Sequence, residues 1–163
     1  SHKTVAIGDN GWNLGEHGTW CKHSIMYTCL HSTLIVQSPG CRPYRNNNIV
    51  EFVDLFPTMC DAVNIPKPKT LEGQSLLPLL KSQKAKSKGY AIARWDNGFT
   101  FIENGFFYTE WWNKEGQTTN RMLFNHVLDK DENYNVVNKS QYKSLTKKLS
   151  KKLHKYRGVR YNN

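Results

Sequence analysis

Long apolar runs are absent from this sequence of 163 residues. The run Leu34–Val36, for example, ends after three residues, whereas a helix needs about 18–20 to cross a bilayer. We therefore expect no membrane-spanning helix. A Cys-x-x-Cys pair is also absent, because the four cysteines stand at positions 21, 29, 41 and 60. This spacing argues against a zinc cluster and permits two disulfides without establishing them.

A start Met and the charged-then-apolar pattern of a secretory signal are missing as well, because the chain opens at Ser1. We expect a fragment or processed piece of a longer protein.

Acidic residues are missing from the C-terminal stretch 139–163, which carries nine Lys or Arg. The first 138 residues hold the other 14 basic residues against 13 acidic ones. The net charge of +10 therefore belongs to the C-terminus, while the rest of the chain is nearly neutral. Such a cationic stretch can bind phosphate or sulfate polyanions electrostatically.

Hydrophobic residues make up 38% of the chain, including 7 Phe, 8 Tyr and 5 Trp, which excludes a disordered or collagen-like chain. Two β-branched runs, Thr4–Gly8 and Ser32–Gln37, each end in a polar turn. They predict buried strands. The loops that follow such strands commonly hold the functional sites of α/β folds.

A helix is predicted from Ile49 to Val63, with Asn48 as its N-cap and Glu51 completing a capping box. Its apolar residues form one broad stripe, which predicts a core helix packed on the sheet. Pro57 predicts a kink in this helix. A short apolar segment at 75–80 follows, and the Lys- and Ser-rich stretch 81–88 predicts a solvated loop.

Apolar residues alternate with polar ones from Gly89 onward. The dipeptides Asn97-Gly98 and Asn104-Gly105 are placed for hairpin turns, so we expect an antiparallel sheet of three or four strands. The stretch 139–156 predicts a final amphipathic helix with lysines opposite its apolar face.

Asp9 and Asn10 follow the first predicted strand and offer a carboxylate and an amide oxygen side by side. Such oxygens are the ligands that Ca²⁺ and Mg²⁺ prefer. Asp-Asn-Gly is also a common turn sequence, so the pair by itself leaves a structural role open.

Four motifs in collinear order resemble sulfatases of the alkaline phosphatase superfamily. They read GDNGW-x-LGEHG-x-WCKH at 8–23, VDLFPTMCD at 53–61, LEGQSLLPLL at 71–80 and LFNHVLDKDENYNV at 123–136. The GEHG-x-W-x-KH wording looks most similar to the iduronate-2-sulfatase subfamily. The chain departs from the family at Gly8, where Ser is usual, and at 29–33, which reads CLHST.

The resemblance implies an α/β fold, the C-terminal part of a large mixed sheet flanked by helices over 1–88. A small antiparallel subdomain with a basic C-terminal helix would follow over 89–163. It further implies hydrolysis of sulfate esters, with uronic acid residues of glycosaminoglycans as the expected substrate. By position, Asp9 and Asn10 would bind one divalent cation, usually Ca²⁺. Lys22 would contact the sulfate, and His23 would lie beside the substrate.

The family's nucleophile is a formylglycine made in a C/S-x-P-x-R motif. Cys41–Arg45 spells this pattern, but it follows the Asp-Asn pair, whereas the family's motif precedes it. We therefore expect the formylglycine upstream, no catalytic residue in this chain, and no activity without a missing N-terminal half. The resemblance implies a lysosomal or secreted protein in a eukaryote and a periplasmic or secreted one in a bacterium.

Two alternatives remain open from the sequence. A metal-dependent phosphodiesterase or phosphatase of the same superfamily would have a similar metal site, although Asn10 favours calcium and a sulfatase. A non-catalytic polyanion-binding module would use the cationic helix. We expect no nucleic acid as partner for the chain as a whole.

Overall fold

The computed structural model describes residues 2–160, with side chains up to residue 156. The described chain contains the strands β1 (Thr4–Ile7), β2 (Asn13–Leu14), β3 (Trp20–Cys21), β4 (Leu34–Gln37), β5 (Tyr90–Trp95), β6 (Gly98–Glu103), β7 (Phe106–Trp112) and β8 (Thr118–Asn125). Its α-helices are α1 (Tyr27–Leu30), α2 (Leu55–Ala62), α3 (Leu77–Lys81) and α4 (Lys143–Arg160). None of these helices is long and apolar enough to span a membrane.

Two compact units divide the chain. The first consists of the residues up to Gly8 together with Thr33–Ala91, and the second of Asp9–Ser32 together with the residues from Ile92 onward. The predicted site residues 9, 10, 22 and 23 thus all belong to the second unit. The domain division at 88/89 stays a prediction.

In the first unit, β1 and β4 pair antiparallel, with Thr4 opposite Gln37 and Ile7 opposite Leu34. Both predicted strands are therefore confirmed, but their predicted burial is wrong. All of β1 is exposed, and Ile35 of β4 is 61% exposed. Leu34 and Val36 of β4 are only half-buried, so neither face of this two-stranded ribbon is fully covered.

The helix predicted over 49–63 is shorter than expected. It begins with a 3-10 turn, Phe52–Asp54, and continues as α2. Asn48 is not its cap, because the capping box joins Glu51 and Asp54, with the Glu51 N–H donating to Asp54 Oδ2 at 2.8 Å. Pro57 does not interrupt α2, which continues to Ala62, since it lies in the first turn, where backbone N–H groups have no partner in the helix.

The apolar stripe of this helix is mostly exposed, which contradicts the expected core helix. The exposed members are Phe52, Val53, Phe56, Met59 and Val63. The buried side of α2 instead carries Pro57, Thr58 and Cys60.

The loop 81–88 is not solvated at its end, because Lys88 is buried. Its ammonium pairs with Glu51 and lies 3.2 Å from Asp54 Oδ1, and its side chain is only 7% exposed. Burial lowers the pKa of Lys88, but the hydrogen bond and charge of Glu51, together with Asp54, outweigh this and raise it. Asp54 also accepts a hydrogen bond from the Gln74 N–H at 2.8 Å, so it joins three segments of the unit.

The predicted antiparallel sheet is confirmed, with four strands in the order β5-β6-β7-β8. Asn104 and Gly105 form the predicted turn, both with positive φ (51° and 77°). The first turn lies one residue earlier than predicted, at Asp96–Asn97, because Gly98 already belongs to β6. A Cβ on Gly98 would lie 2.7 Å from the Trp111 indole nitrogen, so this glycine is needed for close packing.

The predicted amphipathic helix is confirmed as α4, and it covers one face of this sheet. Leu149 and Leu153 are 1% and 0% exposed, and the sheet residues Tyr108 and Leu123 are both fully buried. Tyr108 and Leu123 are direct cross-strand neighbours, so they share the covered face. The Lys152 ammonium donates to Glu103 Oε1 at 2.5 Å and ties the helix to β6.

The side chain of Glu110, a residue of β7, is fully buried and faces α4. It accepts five hydrogen bonds, from Tyr108 Oη, Trp112 Nε1, Thr118 Oγ1, Ser150 Oγ and His154 Nε2. Burial by itself raises the pKa of Glu110, but these bonds, that from Ser150 first, outweigh it and lower the pKa to about 2.

Candidate functional site

Asp9 and Asn10 follow β1 after the single residue Gly8, close to the end of the strand where the sequence predicts a site. The Asp9 side chain is 83% exposed, and Asn10 is half-buried. The next residue, Gly11, donates its N–H to the Cys29 carbonyl at 2.9 Å. A Cβ on Gly11 would lie 1.8 Å from the Thr28 carbonyl oxygen, so only glycine permits this approach. The turn that presents the Asp-Asn pair is therefore fixed by its contact with residues 28 and 29.

A short hairpin follows the pair, with Asn13 opposite Cys21 and Leu14 opposite Trp20. Asn13 is fully buried. Its amide donates to Thr19 Oγ1 at 2.8 Å, and its carbonyl oxygen accepts a hydrogen bond from Thr28 Oγ1. Asn13 thus joins the hairpin to helix α1, a role that no sequence pattern indicated.

The tip of the hairpin is a 3-10 turn, Glu16–Gly18, in which His17 has a positive φ of 55°. The Leu14 N–H donates to Glu16 Oε2 at 2.5 Å. Backbone hydrogen bonds, first that of Glu16 itself and then that of Leu14, lower the pKa of the Glu16 carboxyl. The GEHG motif therefore shapes the turn through Glu16.

Lys22 follows the second hairpin strand, and the structure brings it to Asp9. The Lys22 ammonium lies 3.7 Å from Asp9 Oδ2, and the two side chains are 46% and 83% exposed. His23 is exposed and places its ring edge-on to Trp95, with 4.8 Å between the ring centroids. A carboxylate and an ammonium thus stand side by side in solvent, which suits the binding of a metal ion and an oxyanion.

The donor chemistry of Asp9 and Asn10 fits a hard cation, because both offer oxygen. Ca²⁺ takes six to eight oxygen ligands. Within residues 2–160, no group of three or more His, Cys, Asp or Glu side chains could hold a metal ion. The pair could therefore supply only part of a coordination sphere.

The segment after His23 is anchored to the end of the small sheet, which the sequence did not indicate. The Tyr27 N–H donates to Glu132 Oε2 at 2.9 Å, and Glu132 Oε1 lies 2.9 Å from His126 Nε2. The Tyr27 ring contacts the rings of His126 and Phe107 edge-on. Glu132 is 4% exposed, so the segment that carries α1 is held by a buried carboxylate.

Cys41, in the C-x-P-x-R pattern, is half-exposed in the loop between β4 and the 3-10 turn at 52–54. No helix begins at this pattern among the described residues. All four cysteines are free, so neither of the two permitted disulfides is formed.

The fold and the hairpin define the C-terminal domain of a sulfatase. A family model described as N-sulphoglucosamine sulphohydrolase, C-terminal, matches residues 15–158, and the chain belongs to this family. The expected family and fold are thereby confirmed. The assignment to the iduronate-2-sulfatase subfamily and the roles of the four site residues stay predictions.

Arylsulfatase K of Homo sapiens is 29% identical over 167 residues, which cover 93% of this chain and 31% of that protein. A putative extracellular sulfatase Sulf-1 homolog of Caenorhabditis elegans is 34% identical over 103 residues, 62% of this chain and 14% of that protein. The chain thus spans about a third of the length of the arylsulfatases it matches.

Solved structures share the fold. BT4656, in complex with its substrate D-glucosamine-2-N,6-O-disulfate, aligns with a TM-score of 0.84 and 22% identity, over 96% of this chain and 34% of that one. BT1596, a 2-O GAG sulfatase, aligns with a TM-score of 0.83 and 23% identity, over 96% of this chain and 36% of that one. The phosphonate monoester hydrolase of Agrobacterium radiobacter aligns with a TM-score of 0.78 and 19% identity, over 95% of this chain and 34% of that one.

Proposed function

We propose that this chain is the C-terminal part of an enzyme that hydrolyses sulfate esters, with uronic acid residues of glycosaminoglycans as substrate. The single observation that carries the proposal is the Asp9–Lys22 pair, 3.7 Å apart, on a hairpin whose sequence is a sulfatase motif. The substrate class is supported by fold neighbours that are described as a 2-O GAG sulfatase and as a complex with a disulfated glucosamine.

In this proposal, Asp9 and Asn10 bind one divalent cation, Ca²⁺, through a carboxylate and an amide oxygen. The bound cation supplies Lewis-acid stabilisation of the sulfate oxygens. Lys22 neutralises the negative charge that grows as the ester bond breaks, because its ammonium is a compact point charge. His23, beside Trp95, borders the saccharide.

The nucleophile in this proposal is a formylglycine from another part of the protein. In this proposal the chain itself contributes no catalytic nucleophile, because its C-x-P-x-R pattern at Cys41–Arg45 follows the Asp-Asn pair, whereas the family's motif precedes it. Such an enzyme would be lysosomal or secreted in a eukaryote, or periplasmic or secreted in a bacterium.

Exposed apolar surface in the first unit supports a missing N-terminal half as partner. Six large apolar side chains on and beside α2 are at least 41% exposed: Phe52, Val53, Phe56, Met59, Val63 and Ile65. The ribbon of β1 and β4 adds Ile7 and Ile35, at 48% and 61%. Contiguous apolar surface of this kind is usually covered in a working protein, and the rest of a longer sulfatase would cover it.

A phosphate or phosphonate ester hydrolase is the second candidate, favoured by the fold likeness to the phosphonate monoester hydrolase. Both reactions need a cation and a positive charge on an oxyanion. The two candidates differ in the substrate that is turned over.

Kinetics of the full-length protein with Ca²⁺ would test the proposal. We expect it to release sulfate from a 2-O-sulfated uronic acid disaccharide faster than from a 6-O-sulfated glucosamine disaccharide, and faster than phosphate from a matched ester. Preferred turnover of the phosphate or phosphonate ester would favour the second candidate. Sulfate release from the glucosamine disaccharide alone would support sulfate ester hydrolysis but contradict uronic acid residues as the substrate.

A further inference from the structure

Four lysines form a row on the side of α4 that faces away from the sheet. Each member lies two positions, or about 200° around the helix, from one of the leucines on its apolar face. Two of those leucines, Leu149 and Leu153, are 1% and 0% exposed, so the lysines lie on the opposite, solvent side. We call this the lysine row: Lys143, Lys147, Lys151 and Lys155, all exposed. At 1.5 Å of rise per residue, it is roughly 18 Å long.

None of the described acidic side chains forms an ion pair with the lysine row. Lys152, on the neighbouring side of the helix, pairs with Glu103. The sequence from 139 to 163 contains no Asp or Glu to add one. Like charges four residues apart repel each other, and Lys143 also lies at the positive end of the helix dipole. An external polyanion would relieve this repulsion.

We propose that the lysine row binds a sulfated polysaccharide chain, as a second site in addition to the Asp9–Lys22 hairpin. The periodic negative charge of such a chain matches a linear row of ammonium groups. The choice of a saccharide as the polyanion rests on the proposed sulfatase function. Binding here would raise the local concentration of ester groups for the hydrolytic site on the same molecule.

Other polyanions suit the row less well. An anionic membrane binds helices that insert an apolar face, but the apolar face of α4 is buried against the sheet. Single-stranded nucleic acid is usually bound with aromatic side chains on which bases stack, whereas the lysine row offers charge alone. Duplex DNA needs only phosphate contacts and is therefore the comparison that the test must include.

The test uses the full-length protein, the triple variant K147Q/K151Q/K155Q, and the control K69Q/K84Q/K86Q. Glutamine keeps the helix propensity of lysine. The control removes the same charge from exposed lysines of the first unit. Heparin binding is measured as a function of salt. Michaelis constants are measured for a sulfated polysaccharide and for a sulfated monosaccharide too short to reach a second site.

We expect the triple variant to elute from heparin at lower salt and its slope of log K against log salt to fall by about 2, the scale for three lost ionic contacts. Its KM for the polysaccharide should rise, while its KM for the monosaccharide stays unchanged. An equal shift in the control, or no shift in the triple variant, would overturn the proposal. A loss of duplex DNA binding as large as the loss of heparin binding would also overturn it, in favour of a nucleic-acid surface.

The two proposals fail in different ways. If the wild-type protein hydrolyses no sulfate ester but the heparin shift is specific to the triple variant, the hydrolase proposal is wrong and saccharide binding by the row is supported. If the wild-type protein turns over the monosaccharide and the triple variant binds heparin as wild type does, only the proposal that the lysine row binds a polysaccharide is wrong.

Discussion

The Tyr27 backbone N–H donates to the carboxylate of Glu132, a residue 105 positions later in the sequence, at 2.9 Å. This bond joins the segment after His23 to the end of the small sheet. The same carboxylate lies 2.9 Å from His126 Nε2, so both of its oxygens have a partner. The hairpin motif and the C-terminal motif of the family are therefore parts of one folded unit.

Replacement of Glu132 by Ala should lower the free energy of unfolding by about 1–3 kcal/mol, because the half-buried Tyr27 N–H loses its acceptor. Glu132→Gln should cost less, since its amide oxygen can still accept. Urea unfolding gives the stability, and hydrogen exchange at residues 24–31 should speed up more in the Ala variant. Glu115→Ala, at an exposed position of the β7–β8 loop, serves as control. An equal loss of unfolding free energy in all three variants would show that the Tyr27–Glu132 hydrogen bond does not hold this segment in place.

In the full-length protein, Asp9→Ala should lower calcium affinity and turnover together, because it removes a charged oxygen ligand. Asn10→Ala should have a milder effect, since it removes a neutral one. Calorimetry and steady-state kinetics measure the two quantities. If Asp9→Ala leaves both unchanged, the Asp-Asn-Gly sequence is only a turn.

Lys22→Ala should lower turnover by about 100-fold, the scale for one lost preorganised charge in a transition state, without loss of metal. Folding should be retained, because the Lys22 side chain is 46% exposed and its ion pair with Asp9 is open to solvent. His23→Ala is the matched variant next to it. Near-normal kinetics for Lys22→Ala with full metal content would transfer the sulfate-binding role to His23.

Glu110 should make the stability depend on pH in the acid range. Its pKa is lowered to about 2 in the folded protein, so its contribution is complete above the ordinary value near 4.5. That contribution disappears as the pH falls from 4.5 towards 2, and it amounts to about 3 kcal/mol at 1.36 kcal/mol per unit. Glu110→Gln should thus be less stable than wild type at pH 7, with a gap that narrows towards pH 3.

Urea unfolding at pH 7, 4.5 and 3 measures this gap, and Glu115→Gln corrects for the general effect of losing a carboxylate. A gap between Glu110→Gln and wild type that stays constant over this range would show that the carboxylate charge is not what stabilises the cluster.

The 163-residue chain alone should not hydrolyse a chromogenic sulfate, because in our proposal it supplies two metal-binding oxygens and no nucleophile. Activity of the purified chain is the measurement. Turnover that disappears in Cys41→Ala would show that the C-x-P-x-R pattern at Cys41–Arg45 is the nucleophile motif after all.

The sequence by itself determined the family, an antiparallel sheet of three or four strands, and the amphipathic α4. Each depends on information that is local in the chain: the spacing of a motif, an alternation of period two, or an apolar repeat of period 3.6. The turn at Asn104-Gly105 was predictable for the same reason, because these residue types tolerate positive φ.

Only the tertiary structure decided which side chains those elements bury and which distant groups meet. The stripe of α2 reads as core in the sequence but is exposed, since a helix pattern shows that a face is apolar and not what covers it. Lys88, in a stretch with the composition of a solvated loop, is buried between Glu51 and Asp54. Lys22 likewise meets Asp9 across a hairpin that the buried Asn13 joins to α1, through hydrogen bonds that no local pattern specifies.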